Sequence, residues 1–204
     1  MAGEFDGSGG HYSHVFLVDL SSDSWVEGTP FSLETSDDTD TTTLAQVRAE
    51  VMNKAAPLLK KLGVEVPAVP LVLLGDGVAN ADGKSMVADQ PSCCGPSDTD
   101  ASVEVRLALK TFPAKATGQC AVDTAVGYSL TATFADGSTR ELHKDGDTLP
   151  KSRSCPQDYR LYSVIEPFES EGGRVAIVSS YPFDFEGTSR RFIAVPIDAW
   201  QPDN

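Results

Sequence analysis

With 204 residues, 40% of them hydrophobic and 23% charged, the chain has a globular composition, which excludes global disorder and collagen-like repetition. No apolar run approaches the roughly 18 residues that a membrane helix needs, so no transmembrane segment is expected. A net charge of −14 argues against nucleic acid as a partner, because phosphate binding calls for a basic face.

The charge is unevenly spread. Residues 1–50 hold ten acids and one base, Arg48, and no Lys or Arg precedes it. Asp37-Asp38-Thr39-Asp40 reads as a solvated acidic loop. Its sharper reading makes Asp37, Asp38 and Asp40 a weak site for a hard cation such as calcium, although no ligand spacing supports it. Met1-Ala2-Gly3-Glu4-Phe5 has neither the basic n-region nor the apolar h-region of a signal peptide. As a native start it points to the cytoplasm; as a trimmed end it leaves export open.

Taken in order, the chain offers short strands, turns and one helix. Residues 6–10 are glycine-rich and read as flexible. His14 to Leu20 is almost continuously apolar and predicts a strand central in a sheet. Ser21-Ser22-Asp23-Ser24 is a turn cluster, and Trp25-Val26 begins a returning strand. A helix follows over about 43–62, with Leu44, Val47, Val51, Ala55, Leu58 and Leu62 on one apolar stripe. Thr43 with Gln46 makes a capping box, and Gly63 stands where a C-terminus favours a left-handed residue. Pro57, inside the pattern, predicts a kink or two abutting helices.

Residues 64–100 are loop-rich, with Leu71-Val72-Leu73-Leu74 as a strand and 76–100 as a mobile insertion. Within it, Asn80-Ala81-Asp82-Gly83 resembles part of a calcium loop. Val78 falls where the first carboxylate belongs, however, and Asp89 where a bidentate Glu belongs, so a plain Asp-Gly turn is the better reading. Val103, Val105, Leu107 and Leu109 alternate with polar or small residues, as do Tyr128, Leu130, Ala132 and Phe134, which marks strands with one wet face. A three-residue loop ending in left-handed Gly137 would pair Leu142 with Leu130 and leave His143 on the polar face opposite Ser129. Further strands are expected at 160–165, 174–181 and 191–197, with Pro196 at a strand end or an edge.

No phosphate loop, GxSxG elbow, HExxH or paired CxxC is present. His11 and His14 could supply two metal ligands, with His143 or Cys93 as a third. In an extended segment, however, residues three apart point to opposite faces. Nothing selects one Ser–His–Asp triad from the many that can be drawn. Trp25, Tyr159, Tyr162 and Tyr181 read as core or rim residues.

His14-Val-Phe-Leu-Val-Asp-Leu-Ser-Ser-Asp-Ser-Trp25-Val-Glu-Gly-Thr-Pro30 resembles the opening of a bacterial family of predicted secreted proteins of unknown function. Ala-Ala-Pro-Leu-Leu (55–59) with Leu-Gly-Val (62–64) looks like its next block. Leu149-Pro-Lys-Ser-Arg-Ser-Cys155-Pro-Gln-Asp-Tyr159-Arg looks like its signature around the second cysteine. Phe185-Glu-Gly187 with Arg190-Arg-Phe-Ile-Ala194 is similar to its C-terminal block. The resemblance implies export to the periplasm. It implies no activity, so no catalytic residue carries over.

Four cysteines allow three pairings. Cys93 and Cys94 are adjacent in the insertion and could close on each other only through a strained ring. Cys120 and Cys155 bracket the hairpin around Gly137, each just outside a strand. The expected bond is Cys120–Cys155, with Cys93 and Cys94 vicinally bonded or free. The plain alternative is four reduced thiols in a cytosolic protein.

Together these readings give an α+β fold, mainly antiparallel β-sheet with one packed helix. They describe a single domain over 1–204, with an acidic N-terminal segment 1–47 and the insertion 76–100. The expected role is that of a non-enzymatic exported protein, acting by binding or as a structural part of the envelope. Its partner would be a small molecule or an envelope protein, and no cofactor is expected. The alternatives are a hydrolase with a site near the 76–100 loop and the histidines, or a calcium-stabilised acidic domain.

Overall fold

In the computed structural model the chain divides into two units, Met1–Pro67 and Ala68–Asn204. The residues described are 2–7, 10–19, 24–35, 41–64, 68–73, 82–88, 104–117, 120, 124–167, 173–184, 187–188 and 190–198.

The first unit holds β1 (Ala2–Gly7), β2 (Gly10–Val15), β3 (Val18–Asp19), β4 (Ser24–Trp25), β5 (Phe31–Glu34) and α1 (Leu44–Lys61). β2 is the middle of a three-stranded sheet, antiparallel to β1 on one side and to β5 on the other. A central strand is present, but it lies earlier than the apolar run predicts. Its ladder begins at Gly10, where a Cβ would run into the Thr35 carbonyl, and it ends at Val15. Of residues 6–10, read as flexible, Asp6, Gly7 and Gly10 are strand, Asp6 pairing with His11 and Gly7 with Gly10, while residues 8 and 9 lie outside the described residues. The returning strand at Trp25 pairs with Val18.

The helix is capped at both ends as its residues dictate. Thr43 Oγ1 accepts the Gln46 N–H, and the Thr43 N–H donates to Gln46 Oε1 at 2.7 Å. At the far end the Val64 N–H reaches the Leu59 carbonyl at 2.9 Å and the Gly63 N–H reaches that of Lys60 at 3.2 Å. With Gly63 at φ +67°, this is a Schellman motif. Val47, Val51 and Ala55 are buried, and the last two pack with Val15 and Leu17. Two expectations need correction. Leu62 is exposed, because the chain has already turned out of the helix there. Of the two outcomes expected at Pro57, the pair of abutting helices is the one corrected: the proline sits inside one continuous helix, its missing N–H removing a single bond near the C-terminus.

The second unit holds β6 (Ala68–Leu73), β7 (Ser85–Ala88), β8 (Val105–Ala116), β9 (Ala125–Phe134), β10 (Thr139–Lys144), β11 (Thr148–Leu149), β12 (Pro156–Pro167), β13 (Val175–Asp184), β14 (Gly187–Thr188) and β15 (Arg191–Pro196). One sheet runs β10-β9-β8, with β7 and the parallel β11 sharing the far edge of β8. The other runs β6-β12-β13, with β14 and β15 sharing the far edge of β13. The sheets face each other across a common core. Leu107, Leu109, Tyr128 and Leu130 come from the first, and Tyr159, Leu161, Val164 and Val178 from the second. The alternation read in β8 is observed, with Val105, Leu107 and Leu109 buried between exposed residues.

Part of the segment read as an insertion belongs to this core. Met86 and Ala88 of β7 are buried, paired across from Leu107 and Val105. The Asp-Gly turn before them is present: Asp82 Oδ1 accepts the Lys84 N–H at 2.8 Å and Gly83 has φ +67°. Lys84 then crosses to the other sheet, its Nζ 2.5 Å from Asp158 Oδ1.

Candidate ligand-binding site

The hairpin of β9 and β10 decides where His143 goes. Its loop has the expected three residues, with Gly137 at φ +80° and the Phe134 N–H bonded to the Ser138 carbonyl at 2.9 Å. The register Thr139↔Thr133 to Glu141↔Thr131 follows from that loop. A bulge at Leu142 then shifts the pairing, so that His143 stands opposite Leu130 and Lys144 opposite Ser129. The expected Leu142–Leu130 pair is therefore corrected. An extra residue in one strand transfers all that follow to the other face. His143 moves from the polar face to the core side, where it stacks on Tyr128 with centroids 4.6 Å apart.

Beyond the end of β10, Asp145 turns under the same ring. Its Oδ1 lies 2.9 Å from His143 Nε2, and its Oδ2 accepts the Tyr128 N–H at 3.0 Å. The Asp145 side chain is only 3% exposed. Burial pushes its carboxyl upward, but the His143 bond, the Tyr128 N–H and the Arg153 charge outweigh that and hold it below the ordinary carboxylate value. Asp145 Oδ1 can thus accept a hydrogen from His143 Nε2.

Arg153 enters from a short 3-10 turn, Lys151–Arg153. Its Nη2 lies 3.5 Å from Asp145 Oδ1, and its guanidinium carbon lies 5.5 Å from the centre of the Tyr128 ring. Ser154, next in the chain, has φ 55°, a left-handed conformation that costs a non-glycine residue energy and that surrounding structure must impose. Cys155 follows and is bonded to Cys120, with Cα atoms 5.7 Å apart. Three further side chains align across the second sheet, because Tyr159 pairs with Ser180 and Ser180 with Arg191. Arg191 Nη1 donates to Ser154 Oγ at 2.9 Å, which joins this row to the Arg153 turn.

The cluster holds buried polar groups without partners. Arg153 Nε, the Tyr159 hydroxyl and the Ser180 hydroxyl are all buried without a hydrogen-bond partner. The last two are neighbours but lack hydrogen-bond geometry. Burial drives the Tyr159 phenol far above its ordinary value, Arg153 and the nearby Ser180 hydroxyl opposing the shift and Asp145 reinforcing it, so the phenol stays protonated. Among the described residues no Ser, Thr or Cys hydrogen-bonds His143, so the Asp145–His143 pair addresses no hydroxyl or thiol nucleophile there.

The other residues singled out in the sequence lie elsewhere. His11 and His14 both stand on β2 of the first unit. The His11 N–H donates to Thr35 Oγ1 at 2.8 Å, whereas His14 stacks on Tyr12 and meets Phe16 at a tilt. Asp37, Asp38, Asp40, Cys93 and Cys94 lie outside the described residues. Among the described residues no three His, Cys, Asp or Glu side chains are grouped to hold a metal ion. Sequence reading missed Asp145 and Arg153. The first hides in a turn-like Lys-Asp-Gly-Asp run; the second lies inside the signature before Cys155, where it gave a usable signal.

That signature now has a structural counterpart, since Arg153, Ser154, Cys155 and Tyr159 all build the cluster. The chain belongs to the DUF2259 family. The family is described as "Predicted secreted protein (DUF2259)" and matches residues 2–198. No curated protein and no solved structure matches the chain. In this DUF2259 protein, among the described residues, no helix is long and apolar enough to cross a membrane.

Proposed function

We propose that this DUF2259 protein is an exported, periplasmic protein that acts by binding rather than by catalysis, using the cluster around Arg153 and Tyr159. The observation that carries the reading is the set of buried donors, Arg153 Nε and the Tyr159 and Ser180 hydroxyls, left without acceptors. Native proteins rarely leave such groups unsatisfied, and the exceptions call for a specific explanation. A role in holding a ligand supplies one. The family's secreted character and the Cys120–Cys155 bond support an oxidising compartment. A small molecule or part of an envelope protein would occupy the site, and no cofactor is needed for it.

The Asp145–His143 pair favours one alternative, a hydrolase using His143 as general base. Screening the full chain against esters, phosphoesters and glycosides tests it. Turnover that falls by orders of magnitude in His143→Ala, with the fold intact, would replace the binding reading with an enzymatic one.

A further inference from the structure

We infer that the ligand of this site carries a small oxyanion, a carboxylate or a phosphate, held by Arg153 with the Tyr159 and Ser180 hydroxyls. The inference rests on the binding reading above and adds the chemical class of the ligand.

A guanidinium can only donate, and its Nε–H here is buried with nothing to receive it. The one carboxylate in the cluster is already engaged. Asp145 Oδ1 faces His143 Nε2 and Arg153 Nη2, and Oδ2 takes the Tyr128 N–H. The Tyr159 and Ser180 hydroxyls belong to residues 0% and 2% exposed, and each can turn its hydrogen outward to donate. What the site lacks is an acceptor with several lone pairs, and a planar guanidinium with flanking hydroxyls matches a carboxylate or phosphate. Charge agrees. Arg153 places a guanidinium beside the Asp145 carboxylate, and Arg191 brings a second to the same turn through its bond to Ser154. The signature around Cys155 supplies Arg153 and Tyr159, while the C-terminal block supplies Arg191. The two stretches converge through the Arg191–Ser154 bond.

The test is thermal melting of the full chain in sodium chloride, with phosphate, succinate or glucose added at constant ionic strength. At least one oxyanion arm should raise the melting temperature progressively with concentration, as any ligand of the native state does. A phosphate response without a succinate response assigns a phosphate-bearing ligand, and the reverse assigns a carboxylate. Tyr159→Phe should weaken that response about tenfold or more, and Arg153→Gln should abolish it. Should Arg153→Gln not fold, Tyr159→Phe alone decides. An oxyanion response unchanged in Tyr159→Phe overturns the inference, as does no response above chloride. A glucose response that disappears in Tyr159→Phe, with no oxyanion response, overturns the oxyanion while leaving the binding reading in place. If no arm responds and Tyr159→Phe melts below wild type, both fall.

Discussion

Asp145 and Tyr128 hold each other by two hydrogen bonds: the Asp145 N–H donates to the Tyr128 carbonyl at 2.9 Å, and the Tyr128 N–H donates to Asp145 Oδ2 at 3.0 Å. This clasp extends the β9–β10 ladder past its bulge and fixes the carboxylate beneath His143. Asp145→Ala should therefore leave a buried N–H, a histidine and an arginine without their acceptor, at a cost of about 3–5 kcal/mol. Asp145→Asn keeps an acceptor and should cost less. Urea denaturation of the two variants measures both.

Much of this fold is legible in the residues. Thr43 and Gln46 announce the start of the helix and Gly63 its end, because capping is local chemistry. The same holds for Asp136-Gly137, whose left-handed glycine sets the hairpin loop. What sequence conceals is non-local. The bulge at Leu142 carries no residue signature, yet it alone brings His143 to the core side. β7 is only four residues long and draws its stability from pairing with β8. The candidate site joins Tyr128, Asp145, Arg153, Tyr159 and Ser180 from five segments, and only the signature around Cys155 hinted at the grouping.

The Asp145 carboxyl also predicts how stability responds to acid. Its folded pKa lies below the ordinary 3.8. Below that value the unfolded chain binds a proton that the folded chain still refuses, so stability falls with pH through this window. The stabilisation is complete above about pH 5 and is lost as pH drops through the folded pKa. Asp145→Asn should flatten the curve below pH 3.8, as unfolding followed against pH would show. A wild-type slope retained in Asp145→Asn would assign the acid response to other carboxylates.

In the first unit, Val51 is completely buried against the three-stranded sheet. Val51→Asp should unfold that unit, because an unpaired carboxylate there costs more than about 4 kcal/mol. Lys54, paired with Glu50 at 3.2 Å on the exposed face, and Lys60 should each tolerate Ala within about 0.5 kcal/mol. Circular dichroism of the helix band follows all three. A Val51→Asp protein melting like wild type would contradict the packing of the helix.

The Cys120–Cys155 bond closes a loop with a sequence separation of 35. Replacing both cysteines with serine should cost about 3–4 kcal/mol in the chain-entropy model. Peptide mapping of unreduced protein should yield the 120–155 cross-linked peptide. Alkylation of both cysteines without reductant would remove the physical support for an oxidising compartment.

The most direct test of the binding account is the stability of ligand-free Tyr159→Phe. If the hydroxyl is kept for a ligand, its removal relieves a buried unsatisfied group, and the variant should match wild type or exceed it by about 1–2 kcal/mol. A hydroxyl that serves the fold gives the opposite sign. Destabilisation of Tyr159→Phe by more than about 1 kcal/mol, in chloride buffer alone, would show that this group already has its partner within the protein and would contradict the proposed site.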